Sequence, residues 1–407
     1  MTDTPDARPP KAGGAPAAAK SDLNWPLFIA LMASTITVNA VVSLSRVTTS
    51  YRAVELDLSV VWIGLIAAGF SLVPVLLAVQ VGRFIDRGHD ARSVWFGALL
   101  MLLASAGMWW RPDSALDLLV FSILLGFGHM FCMAGQQMIA VRCGGPNTRE
   151  HVFGYHMIAI ATGQGLGLVL LGWLGGDTQI PPTGELFALA MAGAVVAFLA
   201  AFGVRPETRE PAHRKSAEHV RVLDLLRQRG LVAVLLSSIV TVTAFELMTV
   251  YLPLLAIERQ IDTHHVGYLL ATRSAVSIAT RLFYARLVVT VGRARLMAAS
   301  MAMGAFAFVI LGLPVSLATM YFGVVMLGIG LGIASTLTFS EVVVLAPLHA
   351  RATALSLRVT GNRIGQMLVP AIAGVVAGVT GIGGVMLILA AFLAASGAFT
   401  HFSIKRD

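Results

Sequence analysis

The run Leu231–Leu255, LVAVLLSSIVTVTAFELMTVYLPLL, carries a single charged residue, Glu246, in an otherwise apolar and hydroxyl-bearing stretch. A helix rises 1.5 Å per residue, so about 20 such residues cross the hydrocarbon of a bilayer. The run is long enough to span, and it places one carboxylate near mid-depth. A charge there costs about 2.5–3.5 kcal/mol on insertion scales, so it implies a task.

The rest of the chain reads the same way. Of 407 residues, 57% are hydrophobic and 12% charged, with a mean hydropathy of +0.81; soluble proteins carry about 25% charged residues. Apolar runs fall at 26–46, 59–81, 94–110, 116–140, 152–176, 185–203, 231–256, 266–288, 296–314, 318–343, 353–377 and 382–401. These predict an all-α membrane protein of twelve spans in a lipid bilayer.

Residues 1–24 are rich in Pro, Ala and Gly and read as a disordered cytosolic tail, with 403–407 as a second short tail. The two cysteines, Cys132 and Cys143, belong to an apolar segment and its end, and no disulfide is expected.

The formal charge of +8 is distributed by side. With the N-terminus inside, Lys and Arg crowd the tail and the loops around 83–92, 142–149, 205–229 and 293–295. The other side holds only Arg52, Arg111 and Arg259. This positive-inside asymmetry puts both termini in the cytosol of a bacterial inner membrane and removes nucleic acid as a partner.

The longest polar stretch, 205–230, divides the spans six and six. Its amphipathic end near Val220–Leu226 suits a linker on the inner surface between bundles 25–204 and 231–402. The halves repeat. Gly126 and Gly128 correspond to Gly328 and Gly330, and Gly163, Gln164 and Gly172 to Gly365, Gln366 and Gly374, all at an offset of 202. The loop at Gly82 aligns with Ala285 at 203. Parallel repeats of this kind underlie alternating access.

On these features the chain resembles the major facilitator superfamily over residues 25–402. The loop Gly82-Arg83-Phe84-Ile85-Asp86-Arg87-Gly88-His89-Asp90-Ala91-Arg92 is similar to the family's G-x-x-x-D-R-x-G-x-R loop, with the second Gly one place early and the last Arg one place late. The second half keeps Gly292-Arg293 but has Val289 at the Asp position. Gly154, Gly163, Gly167 and Gly172 follow the spacing of the antiporter motif of span 5, with Leu168 at its proline. Ser122 stands where drug exporters carry Arg in span 4.

The resemblance implies two six-helix bundles around a central cavity lined mainly by spans 1, 4, 7 and 10. It also implies a gate at the loop after span 2, where Asp86 and Arg87 would meet Arg358 and Arg363 near the start of span 11.

Glu246 is the expected proton-coupling residue, since a buried carboxylate gives up its charge readily. Its alternatives are a structural partner for Arg273 or Arg281 in span 8, or a contact for a cationic substrate. His129, whose imidazole suits proton transfer, is a second coupling candidate or a hydrogen-bonded core histidine. The expected cavity set is Asn39, Ser43, Arg46, Gln136, Arg273, Arg281, Thr336 and Thr338; Ser and Thr also serve as packing glue, and Arg as structural donor. His129-x-x-Cys132-Met133 with Met297 and Met301 could hold Cu(I), but a chain with 17 methionines makes such pairs by chance.

No metal and no cofactor is expected; with no phosphate-binding Gly-Lys-Ser/Thr loop ATP is not expected to drive the chain, and with no nucleophile–base constellation it is not expected to be an enzyme. The reading is a monomeric secondary transporter of a small-molecule substrate driven by protons. Efflux of amphipathic compounds by antiport leads. Proton symport of an organic anion is the alternative, and a sensor built on a carrier fold is a distant third.

Overall fold

The computed structural model describes residues 24–110, 112–143, 149–204, 225–347 and 350–404. Ten helices are α1 (Trp25–Glu55), α2 (Val60–Asp86), α3 (Asp90–Trp110), α4 (Ala115–Cys143), α5 (Arg149–Gly175), α6 (Thr183–Gly203), α7 (Leu231–Glu258), α8 (Thr263–Val291), α9 (Arg293–Gly312) and α10 (Leu317–Leu345). The last run, Arg351–Ile404, is broken at Gly381, whose φ of 72° and ψ of 173° are not helical. It forms α11 (351–380) and α12 (382–404). Twelve long helices therefore account for the described residues, with no strand among them. In hydrocarbon only a helix satisfies its own backbone donors and acceptors, and every described span is one.

Each expected span lies on one of these helices to within a few residues, with two instructive differences. The helix α1 runs nine residues past the expected end at 46. Its continuation is polar in sequence, yet Val47, Thr48, Tyr51 and Ala53 are completely buried against other helices. Protein contacts, not lipid, carry it onward. Arg46, expected near an end of span 1, therefore lies well inside it. The helix α8 falls outside the ten segments that are apolar enough to cross by composition. It carries Arg273, Arg281 and Arg286, yet it packs against α5 and α10 as a full member of the bundle. Of the linker, 205–224 lies outside the described residues, as do 1–23; Leu225 is buried beside Leu231, Val342 and Ala346.

The twelve helices alternate in direction, so Asn24 and Ile404 share one face of the bundle, here the terminal face; the opposite is the far face. Close contacts between the halves gather toward the far face. Gly64 of α2 abuts Gly374 of α11: a Cβ on Gly374 would stand 2.9 Å from the Val60 carbonyl and 3.3 Å from the Gly64 Cα. Gly172 of α5 abuts Gly267 of α8, where a Cβ on Gly267 would meet the Leu168 carbonyl at 2.8 Å. Only glycine lets these backbones approach so closely.

One apolar core unites the far-face ends of both halves, with Val47, Tyr51, Ile63, Leu168 and Leu171 packed among Leu247, Tyr251, Leu270 and Leu327. Toward the terminal face the cores are separate. Val81, Ile85 and Met130 belong to the N-terminal half alone, and Leu296, Met297, Ile333 and Leu337 to the C-terminal half alone. The halves are thus sealed together at the far face.

The repeat read from the sequence is a repeat of packing. Gly128 closes on the Gly97 carbonyl, and Gly330, its counterpart, on the Ser300 carbonyl; a Cβ at either would sit 2.6 Å away. Among the described residues, the two non-glycine positions of positive φ, Asp57 (53°) and Gln260 (56°), stand 203 apart in equivalent turns.

Candidate functional site

Where α1 and α7 pass at mid-depth, the guanidinium of Arg46 grips the carboxylate of Glu246 with both arms. Nη1 donates to Oε2 at 2.9 Å and Nη2 donates to Oε1. Glu246 is 6% exposed and Arg46 12%. Planar two-point pairing of this kind is the strong geometry for Arg and carboxylate. It ties one half to the other, and the basic partner of Glu246 is Arg46 rather than Arg273 or Arg281, the two weighed for that role as an alternative to coupling. The partner lies 200 residues away on α1.

The pair sits in a small cluster. The Arg46 guanidinium lies 4.4 Å from the centre of the Phe70 ring, a cation–π contact. Phe70 in turn lies 5.6 Å from the His129 ring, whose Nε2 is buried with no hydrogen-bond partner. Arg363 of α11 stands within electrostatic reach of both Arg46 and His129. On the far side of Arg46 lies a cavity of about 20 Å³ lined by Thr49, Ser50, Ser122, Ile63, Ile66 and Val250. That volume suits a single water and no solute.

Arg273 stands behind Glu246 without touching it. Its Nη1 donates to the Phe245 carbonyl at 3.1 Å and approaches Thr249 Oγ1 at 3.4 Å, with the guanidinium 5.0 Å from the Phe245 ring. It holds α7 on either side of Glu246, through the Phe245 carbonyl and the Thr249 hydroxyl. Arg281 and Arg358 converge on Ser335 of α10, a residue the sequence did not single out. Arg281 Nη2 donates to its Oγ at 3.4 Å, and Arg358 Nη2 donates to its carbonyl and to Thr338 Oγ1, each at 3.3 Å. Arg363 Nη1 donates to Gln366 at 3.3 Å. Among the described residues none of Arg281, Arg358 and Arg363 pairs with a carboxylate.

Other sequence candidates are placed away from this cluster. Asn39 is buried, donating to the Thr35 carbonyl and to Met133 Sδ. Gln136 is fully buried and donates to Ser34 Oγ at 3.0 Å. Both stitch the N-terminal half together. Thr336 and Thr338 return their hydroxyls to their own helix. Ser43 is half-buried on α1 and Arg87 exposed after α2. The side chain of Asp86 lies outside the described residues.

A second buried carboxylate was missed. Glu341, at the end of span 10, is 3% exposed and accepts from Arg293 Nη1 at 2.6 Å. The Gly292-Arg293 pair was the signal that could have pointed to it.

The family model of the major facilitator superfamily matches residues 26–263 and again 234–407. The chain belongs to the major facilitator superfamily. Solved structures agree on the fold. A bacterial homologue of the human lysosomal transporter Spinster, inward-facing and unoccupied, superimposes with a TM-score of 0.78 at 14% identity, over 93% of this chain and 96% of that one. The nucleoside transporter NupG gives 0.74 at 14% identity over 94% and 100%. No curated protein matched at a significant level. As a superfamily member the chain is a multi-pass transporter of a small solute, not an enzyme.

Proposed function

We propose that this chain is a proton-coupled carrier of a small organic anion. In this reading Glu246 takes the proton and Arg46 takes the anionic group. The observation that carries it is the two-point Arg46–Glu246 pair joining α1 to α7. Breaking a buried pair by removing one partner costs about 3–5 kcal/mol, because a charge is left uncompensated. A proton on Glu246 alone strands the guanidinium, and an anion on Arg46 alone strands the carboxylate. When both bind, each group has a partner. Co-binding is then the low-energy way to release α1 from α7, and that is the logic of symport. The guanidiniums of Arg281, Arg358 and Arg363, which pair with no carboxylate among the described residues, add an attraction for anions and repel cations. His129 is the proposed proton relay, and Asp86, Arg87, Arg358 and Arg363 remain the proposed gate of the terminal face.

The positive-inside distribution supports a bacterial inner-membrane location with the terminal face cytosolic, and the carrier is proposed to act as a monomer. On that orientation the conformation is closed to the outside. Efflux by antiport is the second reading, favoured by the glycine spacing of α5. In this chain, however, Gly163 and Gly167 lie against the carbonyls of Ile36 and Ala40 on α1, so helix packing accounts for them.

The test uses everted vesicles with an acidic, dye-reported lumen. Candidate carboxylates and phosphates are preloaded, and amphipathic cations and neutral compounds are added outside. Alkalinisation as an anion leaves the lumen, absent in Glu246→Gln, is the expected result. Alkalinisation on adding a cation outside, with no anion response, would replace symport with export.

A further inference from the structure

At the far face, loop residues 176–179 of the N-terminal half dock onto the first turn of α8 in the C-terminal half. The Thr263 N–H donates to the Thr178 carbonyl at 2.8 Å and the His264 N–H to the Gly176 carbonyl at 3.3 Å. Thr263 Oγ1 donates to Thr178 and Gln179 carbonyls at 2.8 and 3.2 Å. The free donors of a helix start are normally met by the side chain of its N-cap residue. Here the other half meets them. Asp262 sits at the N-cap with extended backbone, and its carboxylate makes no capping bond.

That carboxylate lies with two other groups. Ligand atoms of Asp177, Asp262 and His264 all fall within 4.8 Å of one another. Asp177 comes from the docked loop and His264 from α8. His264 Nδ1 is 3.0 Å from Asp177 Oδ1, yet that nitrogen is buried and makes no aligned hydrogen bond. An imidazole nitrogen and two carboxylates thus converge at a seam between halves. The neighbouring imidazole, His265, is turned to Tyr321, 3.4 Å from its hydroxyl.

We propose that Asp177, Asp262 and His264 form a divalent transition-metal site that latches the far-face closure. One imidazole and two carboxylates suit Zn²⁺ better than Ca²⁺ or Mg²⁺, which prefer oxygen ligands alone. Tetrahedral Zn²⁺ with bonds of ~2.1 Å sets its ligands ~3.4 Å apart. Small rotations suffice, and Asp177, 90% exposed, is free to make them. A water completes the shell. Because the ligands come from both halves, the metal binds only when the halves are closed there, and it holds the carrier in that state.

The experiment is Zn²⁺ titration of the purified full-length carrier by calorimetry. It is paired with spin-label distances between Gly184→Cys and Ala318→Cys, exposed positions at the far-face starts of α6 and α10. Cys132 and Cys143 are buried and do not compete for label. The expected result is one Zn²⁺ per chain, with affinity falling at least tenfold in Asp177→Asn and in His264→Gln. Zn²⁺ should also collapse the distance distribution onto its shortest component, and Ca²⁺ should leave it unmoved. Unaltered Zn²⁺ affinity in both variants, binding without a change in distance, or an equal effect of Ca²⁺ would overturn the proposal. The exposed Asp177 keeps the test valid even if His264→Gln disturbs folding.

Discussion

The two halves of the molecule are built alike and charged differently. Gly64 in α2 and Gly267 in α8 stand 203 residues apart, and Gly172 in α5 and Gly374 in α11 stand 202 apart. Together they make two close glycine contacts between the halves, one on each side of the axis. The residues between those contacts do not repeat. At the same spacing Ser43 corresponds to Glu246, Arg46 to Thr249, and Phe70 to Arg273. Even the contacts keep their places while the chemistry changes: Arg46 stacks on Phe70 in one half, and Arg273 reaches Thr249 in the other. Closure needs symmetry, because the halves must meet on both sides of the axis. Coupling needs asymmetry, because a buried pair has one acid and one base and can exist in only one orientation.

The largest effect is expected from leaving that pair half-made. Arg46→Met or Glu246→Leu alone should lower unfolding stability by about 3–5 kcal/mol. The double variant Arg46→Met/Glu246→Leu should lose far less than the sum, as a double-mutant cycle by thermal unfolding in detergent will show. Additive losses would mean that the two side chains act separately and that the asymmetry has no energetic content.

A smaller effect, equal on both sides of the axis, is expected from the glycines. Gly64→Leu and Gly267→Leu should each disfavour far-face closure by about 1–3 kcal/mol, read as longer spin-label distances between α6 and α10. If one variant shifts the distances and its counterpart does not, the closure is not symmetric. Smaller again is Arg273→Lys, which keeps the charge but not the fork that braces α7. Proton-coupled flux should fall roughly fivefold, the equivalent of about 1 kcal/mol for one buried bond, with anion affinity unchanged. Thr336→Val, whose hydroxyl serves only its own helix, should change stability by less than about 1 kcal/mol.

These contrasts also mark how far the sequence could be read. Helices, halves and the repeat were legible because lipid forces apolar runs into helices and because glycine contacts recur at a fixed spacing. Glu246 was legible because a lone carboxylate in an apolar run is costly. Its partner was not: Arg46 closes the apolar run 26–46 and reads as a residue near a span end, whereas α1 continues nine residues further for reasons of packing that leave no hydropathy signal. Glu341 escaped for a related reason, as its partner Arg293 reaches it from the first turn of the neighbouring helix α9. The cluster at Asp177, Asp262 and His264 is scattered across the two halves and exists only in the folded closure.

The most direct measurement of the coupling claim is the far-face distance in the Gly184→Cys/Ala318→Cys carrier, followed by pulsed spin-label spectroscopy in lipid. It would be recorded at acid pH without anion, at neutral pH across a panel of carboxylates and phosphates, and with both together. Relative to the empty carrier at neutral pH, far-face opening should increase only when acid and an anion are present together, and in Glu246→Gln that anion alone should suffice. Full opening by acid alone, or no anion of the panel acting in Glu246→Gln, would contradict the claim that Arg46 and Glu246 must be satisfied together.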